Sequence, residues 1–166
     1  MQLDGLIYRA PKEIKVLIGA FIIVLSVGFY TGLLFVKETS SANPNGIEEQ
    51  YLGNENQEHI QVMKFKKSDR EMLTMIHGHI LSMSIIFFLV GLIVSITRLP
   101  IKLKLFLLIE PFVSVVLTFG GIYLLWKGIL WMRYVIMFSG TLMSLTYTIS
   151  AVLIIKQLFK KPSNNV

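Results

Sequence analysis

The chain contains no cysteine, which excludes disulfides, thiolate metal sites, iron–sulfur clusters and cysteine nucleophiles together. Charge is scarce: 16% of the 166 residues are Asp, Glu, Lys or Arg, against about 25% in an ordinary globular chain. Histidine occurs three times, so imidazole chemistry is confined to His59, His77 and His79. No nucleophile–base pair, phosphate-cradling glycine loop or zinc-ligand spacing occurs, and independent catalytic activity is not expected. The net charge of +6 comes without a basic stripe interleaved with aromatics, so no nucleic-acid partner is expected.

What the chain has is apolar sequence in long runs: 54% of its residues are hydrophobic. A bilayer core of about 30 Å needs about 20 apolar residues in helix. Four segments qualify, about Val16–Val36, Met72–Thr97, Leu103–Trp126 and Tyr134–Ile155. Unbroken runs of this length must be helices, because peptide groups in hydrocarbon can be satisfied only within the segment. The expected fold is all-α, an integral membrane four-helix bundle forming a single domain over residues 1–166, with one outer loop at about residues 37–71. The first run is too long for a cleaved signal sequence, whose apolar core is about 7–15 residues.

Orientation follows from lysine and arginine. Nine of the sixteen basic residues (Arg9, Lys12, Lys15, Arg98, Lys102, Lys104, Lys156, Lys160 and Lys161) fall in the N-terminal segment, the second loop and the tail. The positive-inside rule then predicts both termini in the cytoplasm and the first loop outside. Tyr123, Trp126, Trp131 and Tyr134 bracket the third loop like an interfacial aromatic belt, with Lys127 snorkelling among them. The lipid bilayer is the first expected partner, and the positive charge favours its anionic lipids.

Within the outer loop, Ser40-Ser41-Ala42-Asn43-Pro44-Asn45-Gly46 consists of turn-forming residues, and a flexible start is expected. Ser68-Asp69-Arg70-Glu71 has the Ser-x-x-Glu pattern of a capping box, which predicts that the second long helix starts near Asp69. Helix contacts are expected from small residues, which let backbones approach closely. Gly28 and Gly32 form a GxxxG in the first span; Gly91 with Ser95, Ser114 with Thr118, and Gly140 with Ser144 repeat the spacing. These pairs could join the four helices to each other or mediate homo-oligomerisation.

Candidate chemistry lies in two places. Met75, His79 and Met83 recur at i, i+4 on one helical face, whereas His77 and His79 diverge by about 200° and cannot chelate together on a regular helix. Imidazole and thioether are axial haem ligands, so His79, with His77, Met75 and Met83, is a candidate haem b site. Copper is the less favoured alternative, with His59 as a third candidate metal ligand. Met packing and a simple interfacial hydrogen bond explain the same residues without any ligand. The other place is Glu110-Pro111, about 10 Å into the third span at 1.5 Å per residue. An intramembrane acid there is a candidate proton or cation group, or is neutral and paired. Glu48 and Glu49 are the best exposed loop carboxylates for a partner or a metal.

Gly46-Ile47-Glu48-Glu49-Gln50-Tyr51-Leu52-Gly53-Asn54-Glu55, followed by the lysine-containing stretch, Ser68-x-x-Glu71 and Thr74-Met75-Ile76-His77-Gly78-His79, resembles an uncharacterised family of small bacterial four-span inner-membrane proteins, sometimes mislabelled as an elongation factor. The resemblance implies the four-span fold, the bacterial inner membrane, and company with membrane or periplasmic electron-transfer components. It marks Glu48, Tyr51, Gly53, His77 and His79 as motif positions and assigns them no activity. Three functions are therefore open: an accessory or electron-transfer subunit with haem or metal near His79; a cofactor-free scaffold binding another membrane or periplasmic protein; and a small proton-coupled transporter using Glu110.

Overall fold

The computed structural model describes residues 4–55 and 62–160. Six helices occur among them: α1 (Leu6–Arg9), α2 (Lys12–Ser40), α3 (Pro44–Leu52), α4 (Asp69–Ser95), α5 (Ile101–Trp126) and α6 (Met132–Phe159). The described residues are all-helical apart from turns and loops, and α2, α4, α5 and α6 are each long and apolar enough to cross a membrane. All four start before the apolar segments, and α2 and α6 also run past their ends. At 29 residues and 1.5 Å per residue, α2 is about 43 Å long, so its ends stand in the headgroups on both sides.

The helix ends follow local rules. The Ser68 hydroxyl accepts from the Glu71 amide (3.3 Å) while the Glu71 carboxylate accepts from the Ser68 amide (2.8 Å), so the capping box is present. The turn between α2 and α3 takes Ser41 and Ala42 through positive φ. The turn expected to run through Gly46 ends sooner: Asn43 accepts from the Gly46 amide (2.8 Å) and Pro44 occupies the first helical turn. A side-chain cap followed by a residue with preset φ makes this stretch a helix start.

α5 is the centre of the bundle, with α6 packed along one side and α4 along the other. The α5–α6 contact has a definite register: the Thr118 and Ser139 hydroxyls are 2.7 Å apart, and Gly121 lets Ile136 approach to 3.0 Å from where a Cβ would stand. Gly91 meets Leu108 in the same way across α4 and α5. These small residues do join helices within the chain, as close backbone approach requires.

α2 behaves differently. It leans on α6 through Phe29, stacked on Tyr147 at 4.1 Å, and through Ser26 and Tyr30, whose hydroxyls meet those of Tyr147 and Thr148 at 2.9 Å each. Most of its other apolar surface is open. Nothing lies within 4 Å of where a Cβ on Gly28 or Gly32 would stand. The expectation that this GxxxG binds the four helices to each other is therefore corrected, because α2 reaches α6 through its aromatic and hydroxyl side chains instead.

At the end that holds the termini, Lys104 is buried and donates to the Thr97 carbonyl (2.6 Å), the Ser95 carbonyl (3.2 Å) and the Asp4 carboxylate (2.6 Å). An ammonium here satisfies carbonyls left open at the end of α4 and complements the helix dipole. Gln157 clamps both backbone groups of Arg98, and the Ile7 amide donates to the Ile96 carbonyl.

Candidate functional site

The opposite end of the bundle carries the motif residues, and there they build a cap. Gly46 sits against the end of α2 so closely that a Cβ would lie 1.9 Å from the Ser40 carbonyl oxygen. Gly53 has φ +83, and its Cβ would lie 2.8 Å from the Lys66 amide nitrogen. One glycine is required by contact and the other by conformation as well. Between them Glu48, from α3, forms an ion pair with Arg133 of α6. Asn54 accepts from the Lys64 amide (2.7 Å) and donates to the Val62 carbonyl (3.1 Å), holding the returning strand of the loop. Lys64 then donates to the Thr39 carbonyl (2.6 Å), and the Trp126 indole donates to the Lys67 carbonyl (2.8 Å). Thus α2, α3, the returning loop, α5 and α6 are tied at one end. Tyr51 of α3 is part of this cap, partly buried against the core, and burial pushes its phenol up to about 12, because an apolar setting penalises the phenolate.

Glu48 is thereby spoken for. The expectation that it is an exposed carboxylate open to a partner or metal is corrected, since Arg133 pairs with it. Glu49 is half-buried on the same helix. Lys127 lies over the Trp126 ring at 4.4 Å and the Tyr123 ring at 5.5 Å, a cation–π arrangement within the aromatic group.

His77 and His79 are both exposed on α4, and Met75 and Met83 are partly buried against the core. His79 Nδ1 lies 2.8 Å from the Met75 carbonyl, a bond that requires its proton on Nδ1 and leaves Nε2 free. Its ring lies 5.0 Å from that of Phe119 on α5. No group of three or more His, Cys, Asp or Glu that could hold a metal occurs among the described residues. His59, the third candidate ligand, lies outside them. The described residues bring His79 an aromatic neighbour and its own backbone, and no second strong ligand on a facing helix.

Glu110 lies on α5 near the α6 contact and is only 7% exposed. One carboxyl oxygen accepts from the Ser114 hydroxyl; the other, Oε2, is buried without a partner. Pro111 next to it is also buried and leaves the Leu107 carbonyl without its helical donor. Thr118 and Ser139 continue a seam of hydroxyls towards the capped end. His79 and Glu110 belong to separate surroundings, as their positions in the sequence imply.

Sequence reasoning missed Arg133, Lys104, Asn54 and Ser114 as partners of named residues. Only Ser114 had a local signal, its i, i+4 spacing from Glu110. The others meet groups at least ten positions away or beyond a helix boundary, where helical periodicity is silent.

The fold and its four apolar helices define a helical integral membrane protein. A family described as a transmembrane helical domain, Aq_1264_TM, matches residues 41–165, and the chain belongs to that family. The matched region begins at the turn after α2 and takes in the cap and the other three long helices. No curated protein and no solved structure matches the chain.

Proposed function

We propose that the protein is an accessory or assembly subunit that binds another integral membrane protein through the open flank of α2. The carrying observation is the pair Gly28 and Gly32, one helical turn apart with free space beside both, while Gly91 and Gly121 receive side chains of neighbouring helices. Small residues at i, i+4 permit the close backbone contact that drives helix association in lipid. Two further facts support this reading. α2 touches the bundle along one side only, and the family match begins beyond it. In this account α3 to α6 form the folded unit, and the cap fixes the α2 end so that its flank is presented rigidly. The lysine and arginine distribution supports cytoplasmic termini for the subunit.

The test is purification from native membranes in mild detergent. A partner present in stoichiometric amount should be lost from Gly28→Ile/Gly32→Ile while helicity and thermal stability are retained. A chain that self-associates through this flank, or a partner that stays bound to the double variant, overturns the reading.

The electron-transfer reading draws less support, because His79 gains no facing ligand among the described residues and Glu48 is paired. The transport reading has one specific observation in its favour, the partnerless Oε2 of buried Glu110. An intramembrane acid in a hydroxyl seam is a candidate carrier of protons. Loss of a proton-linked flux in Glu110→Gln, with assembly intact, would move the assignment to that class.

A further inference from the structure

At the capped end of the bundle two ammoniums converge on one indole. Lys66, in the returning loop, lies 5.4 Å from the Trp126 ring, and Lys127, the residue that follows α5, lies 4.4 Å from it. The two charges are therefore no more than about 10 Å apart. The ring they share is fixed, since Trp126 is buried and its indole donates to the Lys67 carbonyl.

Both lysines are exposed, and neither is neutralised. The ion pairs among the described residues are Lys67–Glu71, Lys104–Asp4 and Arg133–Glu48, so no described carboxylate lies within 4 Å of either ammonium. Lys64 in the same loop differs, because the Thr39 carbonyl takes its proton. Two like charges held this close repel each other, and an anion within reach of both removes that cost.

The surface beneath Lys127 indicates the kind of anion. Lys127 keeps right-handed helical backbone angles, so positions below it can be counted at about 100° per residue. Gly120, Val116, Val113 and Ile109 fall within about 40° of it on the same face. The three side chains are exposed, and nothing lies within 4 Å of where a Cβ on Gly120 would stand. In a bilayer this uncovered stripe faces acyl chains, with Lys127 and Trp126 at its headgroup end. A phosphate head joined to a hydrocarbon tail matches both parts, whereas an acidic protein segment would match the charges alone.

We infer that Lys66 and Lys127 form a binding site for one anionic phospholipid of the leaflet at the capped end, its phosphate between the ammoniums and an acyl chain along the α5 stripe. Each basic residue near the surface is worth about fivefold in affinity for anionic lipid. Neutral lipid has the same tails and lacks the net charge.

The test uses the full chain reconstituted in vesicles of equal phosphatidylglycerol and phosphatidylcholine, extracted gently and weighed by native mass spectrometry. Retention of phosphatidylglycerol in preference to phosphatidylcholine is expected, at one per chain. Lys66→Gln and Lys127→Gln should each reduce that retention about fivefold. Lys37→Gln, exposed in the last turn of α2 at the same end, should leave it unchanged. Circular dichroism should show the same helicity in all three variants. Equal retention of the two lipids, a Lys66→Gln variant that behaves as wild type, an effect of Lys37→Gln as large as that of Lys127→Gln, or displacement of the lipid by added inorganic phosphate or by a co-purifying acidic protein overturns the site.

Discussion

Glu48 of α3 and Arg133 of α6 are 85 positions apart and form an ion pair, so the loop helix is fastened to the far end of the bundle. The same guanidinium reaches Asn45 (3.3 Å), which gives α3 two anchors on one arginine. This pair turns a motif glutamate from a candidate ligand into a fastening.

If the pair fixes the cap, Glu48→Gln and Arg133→Gln should each speed hydrogen exchange of the amides in residues 46–54 several-fold. The double variant should be no faster than either single one, because removing both partners leaves no charge stranded. Strictly additive effects would mean that the two side chains act separately. Amides in the middle of α5 should not change.

The two motif glycines should differ in how they fail. Gly46→Ala puts a Cβ onto the Ser40 carbonyl and should cost about 1–3 kcal/mol as an overpacked contact, displacing α3. Gly53→Ala forces positive φ with extended ψ on a residue with a Cβ, also crowded by Lys66 and Lys64, at about 1–3 kcal/mol for the backbone alone. Limited proteolysis of the loop in detergent checks both: wild type should be cut slowly, and either variant quickly.

Tyr51 supplies a pH dependence. Its phenol is raised to about 12 in the fold against about 10 in the open chain. Below pH 10 both states hold the proton and nothing changes. Between about 10 and 12 the open form of the cap gives up the proton and the closed form keeps it, so cap stability falls as pH rises. Proteolysis should accelerate in that window, and Tyr51→Phe should flatten the dependence that this residue contributes.

Ser114→Ala removes the donor to Glu110 and leaves both carboxyl oxygens without a partner in the interior. The expected loss is about 1–3 kcal/mol, read as a lower midpoint of thermal unfolding in detergent. Glu110→Gln keeps the shape and should be tolerated better. An unchanged midpoint in Ser114→Ala would show that Glu110 finds another donor.

Much of the architecture could be read locally. The apolar runs located all four long helices, because hydrocarbon leaves the backbone no other option, and Ser68 with Glu71 marked the start of α4. Gly91 and Gly121 pack as small residues should. Asn43 and Pro44 were read as turn residues, although the same chemistry is a helix start when a short amphipathic segment finds a surface to cover. That surface is made by the end of α2 together with α5 and α6, and local pattern does not contain it. Glu48, Asn54 and Lys104 took their roles from partners that only the folded chain brings near. Glu110 was legible as an oddity from its apolar surroundings, while its free oxygen needed the packing of α6.

The proposal for α2 meets its most direct test in cysteine scanning, for which a chain without cysteine is already the background. Single cysteines from position 22 to position 36 would be coupled to a short photo-activated cross-linker in native membranes. Adducts to one partner protein should recur with helical period and centre on positions 24, 28, 31, 32 and 35, the flank that carries Gly28 and Gly32, and should be weak at 22, 26 and 29, which face α6. Adducts of equal yield all around α2, or none beyond lipid, would contradict the account.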